Sequence, residues 1–120
     1  MKKILVADDT ATGRELVRTV LEGSGYQIFE AQDGLEALAS ARAILPDLII
    51  LDIHMPKLDG FGVVEELHRD GNLAKTPILG LTASAMMGDK ERAMAVGFTA
   101  YITKPIRLAD LRSEVARLLR

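Results

Sequence analysis

The 120-residue sequence has no cysteine and no tryptophan, only two tyrosines, and no long apolar run. Without cysteine there is no disulfide scaffold, no thiolate metal site and no cysteine nucleophile, which fits a reducing compartment. No apolar stretch approaches the ~20 residues of a membrane span. Lys2 and Lys3 precede an apolar run of only Ile4 to Ala7 before two aspartates end it, too short for a secretory signal. A large excess of either charge is lacking too. The net charge is −2, so bulk electrostatics draws the chain neither to nucleic acid nor to an anionic membrane. The expectation is a cytoplasmic soluble domain with no direct nucleic-acid partner and no membrane partner.

The residues present are those of one globular domain. Hydrophobic residues make up 48% of the chain, and no linker, low-complexity segment or repeat breaks residues 1–120. A chain of this length buries roughly two-thirds of its unfolded surface, enough for a core without staples. Short apolar runs at Ile4–Ala7, Leu48–Leu51 and Ile78–Leu81 have strand length and are apolar throughout, as strands covered on both faces are. Tyr26–Glu30 mixes apolar and polar residues and reads as a sheet-edge strand; Thr99–Ile102 is a short fifth run. Between them lie helix-period faces: Leu16, Val17, Val20 and Leu21; Leu35, Leu38, Ala41 and Leu45; Phe61, Val64 and Leu67; and Leu108, Leu111, Val115, Leu118 and Leu119. Gly23-Ser24-Gly25, Pro46 and Gly97 stand where helices must stop. The pattern is (βα)5, an α/β fold with a parallel sheet, helices on both faces and right-handed crossovers. Such sheets bind ligands outside the carboxyl ends of their strands.

Those ends carry unusual chemistry. Asp8 and Asp9 follow the first strand, Asp52 ends the third, Thr82 ends the fourth, and Lys104 with Pro105 follows the fifth. Singly, each has an ordinary reading: an aspartate as helix N-cap, Asp52 as a turn former, Thr82 as a cap, Lys104 as a solvated charge. Together they do not, because three neighbouring carboxylates repel one another unless a cation is present. The second strand ends in nothing reactive, with Glu30 the nearest candidate. The chemistry that fits is binding of a hard cation, Mg²⁺, which takes a few carboxylates together with waters and phosphate oxygens. With it goes attack of one carboxylate on phosphorus to give an aspartyl phosphate, while Thr82 and Lys104 hold the phosphoryl oxygens.

Four segments then make the sequence recognisable: ILVADD at 4–9, DLIILDIHMPKLDG at 47–60, PILGLTA at 77–83 and YITKP at 101–105. In this order and spacing they resemble the receiver domain of two-component response regulators, over essentially the whole chain. The resemblance implies a flavodoxin-like (βα)5 doubly wound fold with a five-stranded parallel sheet in the order 2-1-3-4-5. It implies that Asp52 is the phosphoacceptor, that Asp8, Asp9 and Asp52 with the backbone carbonyl of His54 hold Mg²⁺, and that Thr82 and Lys104 contact the phosphoryl group. Tyr101 resembles the aromatic switch that turns inward when Thr82 moves, and the Lys104–Pro105 bond is expected to be cis. Such a protein is no enzyme beyond its own phosphorylation and dephosphorylation. Its implied partners are a sensor histidine kinase or histidine phosphotransfer protein, docking on the first helix (Thr10 to Val17, with Arg14 and Arg18) and on Pro105 and Ile106. A downstream protein target would meet the last two helices and fifth strand. The expectation is either a single-domain regulator or a receiver cut from a longer chain, with Met1 favouring the former.

Some residues stand apart. Gly80 sits inside a strand, where it weakens the strand or allows a close approach. His54 and Ser84 occupy positions that tune phosphoryl lifetime in receivers. His68 reads as surface, and Arg107, Arg112, Arg117 and Arg120 as a solvated face. Met86 and Met87 form an adaptable apolar contact or pack inward. Three other functions compete. A flavin carrier is favoured by Thr10-Ala11-Thr12-Gly13 but opposed by the adjacent Asp8 and Asp9 and by the absence of tryptophan. An aspartate-nucleophile phosphatase needs its acids two residues apart on the first strand. A pseudo-receiver acting only as a protein-binding module is the remaining alternative.

Overall fold

The computed structural model describes residues 1–83 and 89–120. Ser84, Met86 and Met87 therefore lie outside the described residues. Five strands, β1 (Lys3–Ala7), β2 (Gln27–Ala31), β3 (Leu48–Asp52), β4 (Ile78–Thr82) and β5 (Ala100–Thr103), alternate with five helices. The helices are α1 (Ala11–Glu22), α2 (Gly34–Ile44), α3 (Gly60–Arg69), α4 (Asp89–Val96) and α5 (Leu108–Leu118). The strands form one parallel sheet in the order β2-β1-β3-β4-β5. This is the expected flavodoxin-like architecture, and the order reverses between β1 and β3, so that the carboxyl ends of those two strands flank the crevice.

The strand period of two divides the core. Leu5, Ala7, Ile49 and Leu51 point to the layer that holds Leu38, Val64 and Leu67 of α2 and α3. Ile4, Val6, Leu48, Ile50, Leu79 and Leu81 point to the opposite layer, against Val17 and Leu21 of α1 and Leu111 and Val115 of α5. Each fully buried aliphatic side chain contributes about 1.5–3 kcal/mol. Tyr26 stands just outside β2, which is indeed an edge strand and has the most mixed burial of the long strands.

Several apolar positions assigned to helix faces are not covered. Leu16, Leu35, Leu45 and Leu108 are exposed large hydrophobics. Periodicity finds an apolar sector, but a helix lying on a sheet covers only its centre, and these residues sit at sector edges or helix ends. Leu45 is half exposed: it takes the left-handed conformation (φ 53°) and ends α2 itself, one residue before Pro46. Gly25 and Gly97 have positive φ, as their stop positions require. His68 is exposed, as expected. So are Arg107, Arg112, Arg117 and Arg120.

Gly80 is explained by its neighbour. A Cβ there would lie 2.8 Å from Cδ1 of Phe98, whose buried ring covers β4. Phe98 meets Phe61 edge to face at 6.1 Å, and the Arg92 guanidinium lies 4.0 Å above the Phe61 ring. The glycine makes room for the aromatic pair that joins α3 to the β4–β5 side of the sheet.

Candidate functional site

The carboxyl rim brings the five expected residues to one place. Asp8 follows β1 directly, Asp52 and Thr82 are the last residues of β3 and β4, and Lys104 follows β5. Asp8, Asp52 and Thr82 are buried, whereas Asp9 is exposed. One carboxylate oxygen from each of Asp8, Asp9 and Asp52 lies within 4.8 Å of the others.

Each acid is braced locally. Asp8 does not cap α1; Thr10 does, accepting from the Gly13 amide. Asp8 Oδ1 instead accepts from the amide (2.9 Å) and hydroxyl (3.0 Å) of Thr10. A Cβ on Gly13 would come within 2.5 Å of Asp8 Oδ2, so this residue must be glycine for the carboxylate to stand where it does. Asp52 Oδ1 accepts from the His54 amide at 3.1 Å. The turn-former reading of Asp52 is thus correct as far as it goes, but only one oxygen serves it.

The second oxygen of Asp52 faces Lys104. The ammonium Nζ lies 2.9 Å from Asp52 Oδ2 and 3.6 Å from Asp8 Oδ2. Burial pushes the Lys104 ammonium down, but the hydrogen bond and charge of Asp52, with Asp8 behind it, outweigh burial and hold it above the ordinary lysine value. It is therefore a fixed cation at neutral pH. Its main-chain amide donates to the Thr82 carbonyl at 2.6 Å, which ties the β5 exit to the end of β4. The Lys104–Pro105 peptide is cis, as expected. Tyr101 is half-buried on β5, at the margin of the α3-side core. His54 is exposed.

The donor set suits a hard divalent cation. It is all oxygen and it is anionic, the ligand chemistry that such a cation takes. A flavin phosphate would meet the same carboxylates and be repelled, which counts against the electron-carrier alternative.

Two hollows flank the rim. One of about 260 Å³ is lined by Asp8, Gly13, Leu16, Lys104, Pro105 and Ile106, and opens directly on the acids. The other, about 380 Å³, lies away from them between β5 and α5, lined by Tyr101, Ile102, Thr103, Asp110, Ser113 and Glu114.

Sequence reasoning missed the supports behind the acids. Thr10 and Gly13 were legible in principle as an N-cap and the residue that donates to it. Arg14 was not. It reads as an exposed helix charge, yet its side chain is only 16% exposed and bridges Glu30 to the Asp8 main chain.

Comparison with known proteins points to one family. The response regulator receiver domain family matches residues 4–116. The polar-differentiation response regulator DivK of Brucella anthropi is 41% identical over 105 residues, covering 88% of this chain and 85% of that protein. The DNA-binding dual master transcriptional regulator RpaA of Synechocystis is 40% identical over 120 residues; this chain spans half of its length. Among solved structures, chemotaxis protein CheY4 of Vibrio cholerae is 36% identical with a TM-score of 0.93, covering 99% of both chains. The receiver domain of the sensor histidine kinase PA1611 of Pseudomonas aeruginosa, solved with a magnesium ion coordinated in its active-site cleft, is 30% identical with a TM-score of 0.91, covering 98% of this chain and 97% of that one.

Proposed function

The chain belongs to the response regulator receiver domain family, and we propose that it is a phosphoacceptor receiver that takes a phosphoryl group from a phosphohistidine onto Asp52. The observation that carries this reading is the convergence of three carboxylates within 4.8 Å with a lysine ammonium 2.9 Å from one of them.

Asp8, Asp9 and Asp52 would hold Mg²⁺, with the His54 carbonyl as a further ligand, and the ion would supply charge to the phosphoryl oxygens. The chain's own residues do the rest. One oxygen of the Asp52 carboxylate attacks phosphorus, and the phosphorus–nitrogen bond breaks with its electron pair passing to the donor imidazole. The His54 amide fixes the carboxylate plane. Lys104 and the Thr82 hydroxyl bind the transferred oxygens, so the work is positioning and electrostatics. Phosphate binds better to the arrangement in which Thr82 and Lys104 close on it, and that arrangement gains population, with Tyr101 following Thr82 inward.

Two surfaces follow. The hollow at Leu16, Pro105 and Ile106 adjoins the acids and suits the phosphohistidine protein. The α4–β5–α5 side, which includes the second hollow, suits the downstream target. No helix among the described residues is long and apolar enough to cross a membrane.

The test is site mapping after incubation with a phosphohistidine protein and Mg²⁺. Label on the peptide that contains Asp52 supports the reading. Label elsewhere overturns Asp52 as the acceptor, and none with a competent donor favours the pseudo-receiver.

A further inference from the structure

We infer that Arg14, clamped by Glu30, is a positioning residue for the acid cluster: it fixes Asp8 through its main-chain carbonyl and so sets the affinity of the site for a divalent cation. This rests on the proposed cation site.

The observations are these. Arg14 Nη1 donates to the Asp8 carbonyl at 2.8 Å, and Nε donates to Glu30 Oε1 at 3.2 Å. Glu30 Oε2 in turn accepts from Arg18 Nη1 at 2.6 Å, and Arg18 Nε pairs with Glu22 at 3.2 Å. Glu30 lies on β2 next to Ala31, whose carbonyl accepts from the Asp8 amide at 3.1 Å. Asp8 has just left the sheet, where a chain is otherwise free to turn. It is held on its amide by β2, on its carbonyl by Arg14, and on its side chain by Thr10.

A planar guanidinium reaches a carbonyl and a carboxylate together because its donors stand in a fixed fork, which a lysine lacks. Its charge stays near a cation site, and on Coulomb grounds alone that charge weakens cation binding. Keeping a half-buried, doubly bonded arginine there makes sense if its gain is geometric. Groups that orient metal-binding residues typically change affinity 10–100-fold. A contact made through the main chain, one step further from the ion, should lie at or below the bottom of that range.

The sign of the effect separates the two roles. If Arg14 acts only as a charge, Arg14→Met removes a repelling cation and tightens Mg²⁺ binding. If it positions Asp8, the same substitution weakens binding, by about three- to tenfold. The experiment is calorimetric titration of the wild-type protein, Arg14→Met, Arg14→Lys and Arg18→Met with MgCl₂. Amide chemical shifts of Asp8, Asp9 and His54 report the site directly, and thermal melts in chelator report the fold.

The expected result is weaker Mg²⁺ binding in Arg14→Met, incomplete rescue in Arg14→Lys, and no loss in Arg18→Met, which touches Glu30 but not Asp8. Should Arg14→Met not fold, weaker binding by Arg14→Lys, which keeps the charge, decides the matter alone. Equal or tighter binding in the Arg14 variant that folds overturns the inference while leaving the site intact. Absence of Mg²⁺ binding by the wild-type protein overturns the site itself, and the inference with it.

Discussion

The Lys104 ammonium donates to the Asp52 carboxylate at 2.9 Å, joining the exit of β5 to the end of β3 across β4. Asp52 is buried, and Lys104 is 29% exposed. Lys104→Met leaves a buried carboxylate without its cation. After discounting for partial exposure, the loss should be about 1–2 kcal/mol in chelator. Because the ammonium competes for the same oxygens, Mg²⁺ should stabilise the variant more than the wild-type protein. Urea denaturation with and without Mg²⁺ checks both parts; unchanged stability in chelator would show that the ion pair does not hold the resting site together.

A phosphohistidine donor should be sensitive to the hollow beside the acids. Leu16 is exposed and lines this hollow, and Ile106 lines it too while packing partly against the core. Leu16→Glu and Ile106→Glu should slow transfer from a phosphohistidine protein tenfold or more, while phosphorylation by acetyl phosphate stays within twofold. These are cleaner probes of docking than Arg14, whose replacement also disturbs Asp8. Equal slowing with both donors would mean that the substitutions damage the site rather than a docking face.

Gly80→Ala should destabilise the fold by about 1–3 kcal/mol, the usual cost of overpacking. The added methyl would stand 2.8 Å from a ring that is already locked edge to face against Phe61. Adding Phe98→Leu should return part of that loss, because the two positions share one space and their effects cannot add. A double variant whose loss equals the sum of the single losses would contradict the steric account.

Asp33 gives a pH dependence. It caps α2 by accepting from the Glu36 amide at 2.8 Å and pairs with Lys57 at 3.4 Å. The Glu36 amide, aided by Lys57, holds its carboxyl below the ordinary aspartate value of 3.8 despite burial. A folded-state value below the unfolded one means that its stabilisation is fully present above about pH 4 and is lost as pH falls through the lower folded value. Asp33→Asn keeps a good cap but cannot titrate, so its melting temperature should fall less steeply than that of the wild-type protein below pH 4. Parallel acid limbs would show that other carboxylates carry the effect.

How much of this was legible in the sequence follows from what each signal measures. The β1, β3 and β4 runs are apolar at every position because both faces of the central strands are covered, and their carboxyl ends could therefore be read directly, Asp8, Asp52 and Thr82 included, while Lys104 follows the shorter and less buried β5. Helix faces were legible only in their centres: Val17 and Leu21 pack while Leu16 does not, a distinction set by where the sheet ends. The supports of the site were illegible for a different reason. Arg14 meets Glu30 sixteen residues away across a crossover, and Gly80 answers to Phe98, so neither can be understood from its neighbours in sequence.

The central claim is that Asp52 accepts a phosphoryl group at a cation-dependent site. The most direct measurement is the intact mass of the protein after incubation with acetyl phosphate, with Mg²⁺ and with chelator, beside Asp52→Asn. The expected result is a gain of one phosphoryl group by the wild-type protein in Mg²⁺ alone, and none by the variant. An unchanged wild-type mass, with folded protein and a competent receiver reacting alongside, or an equal gain by Asp52→Asn, would contradict it.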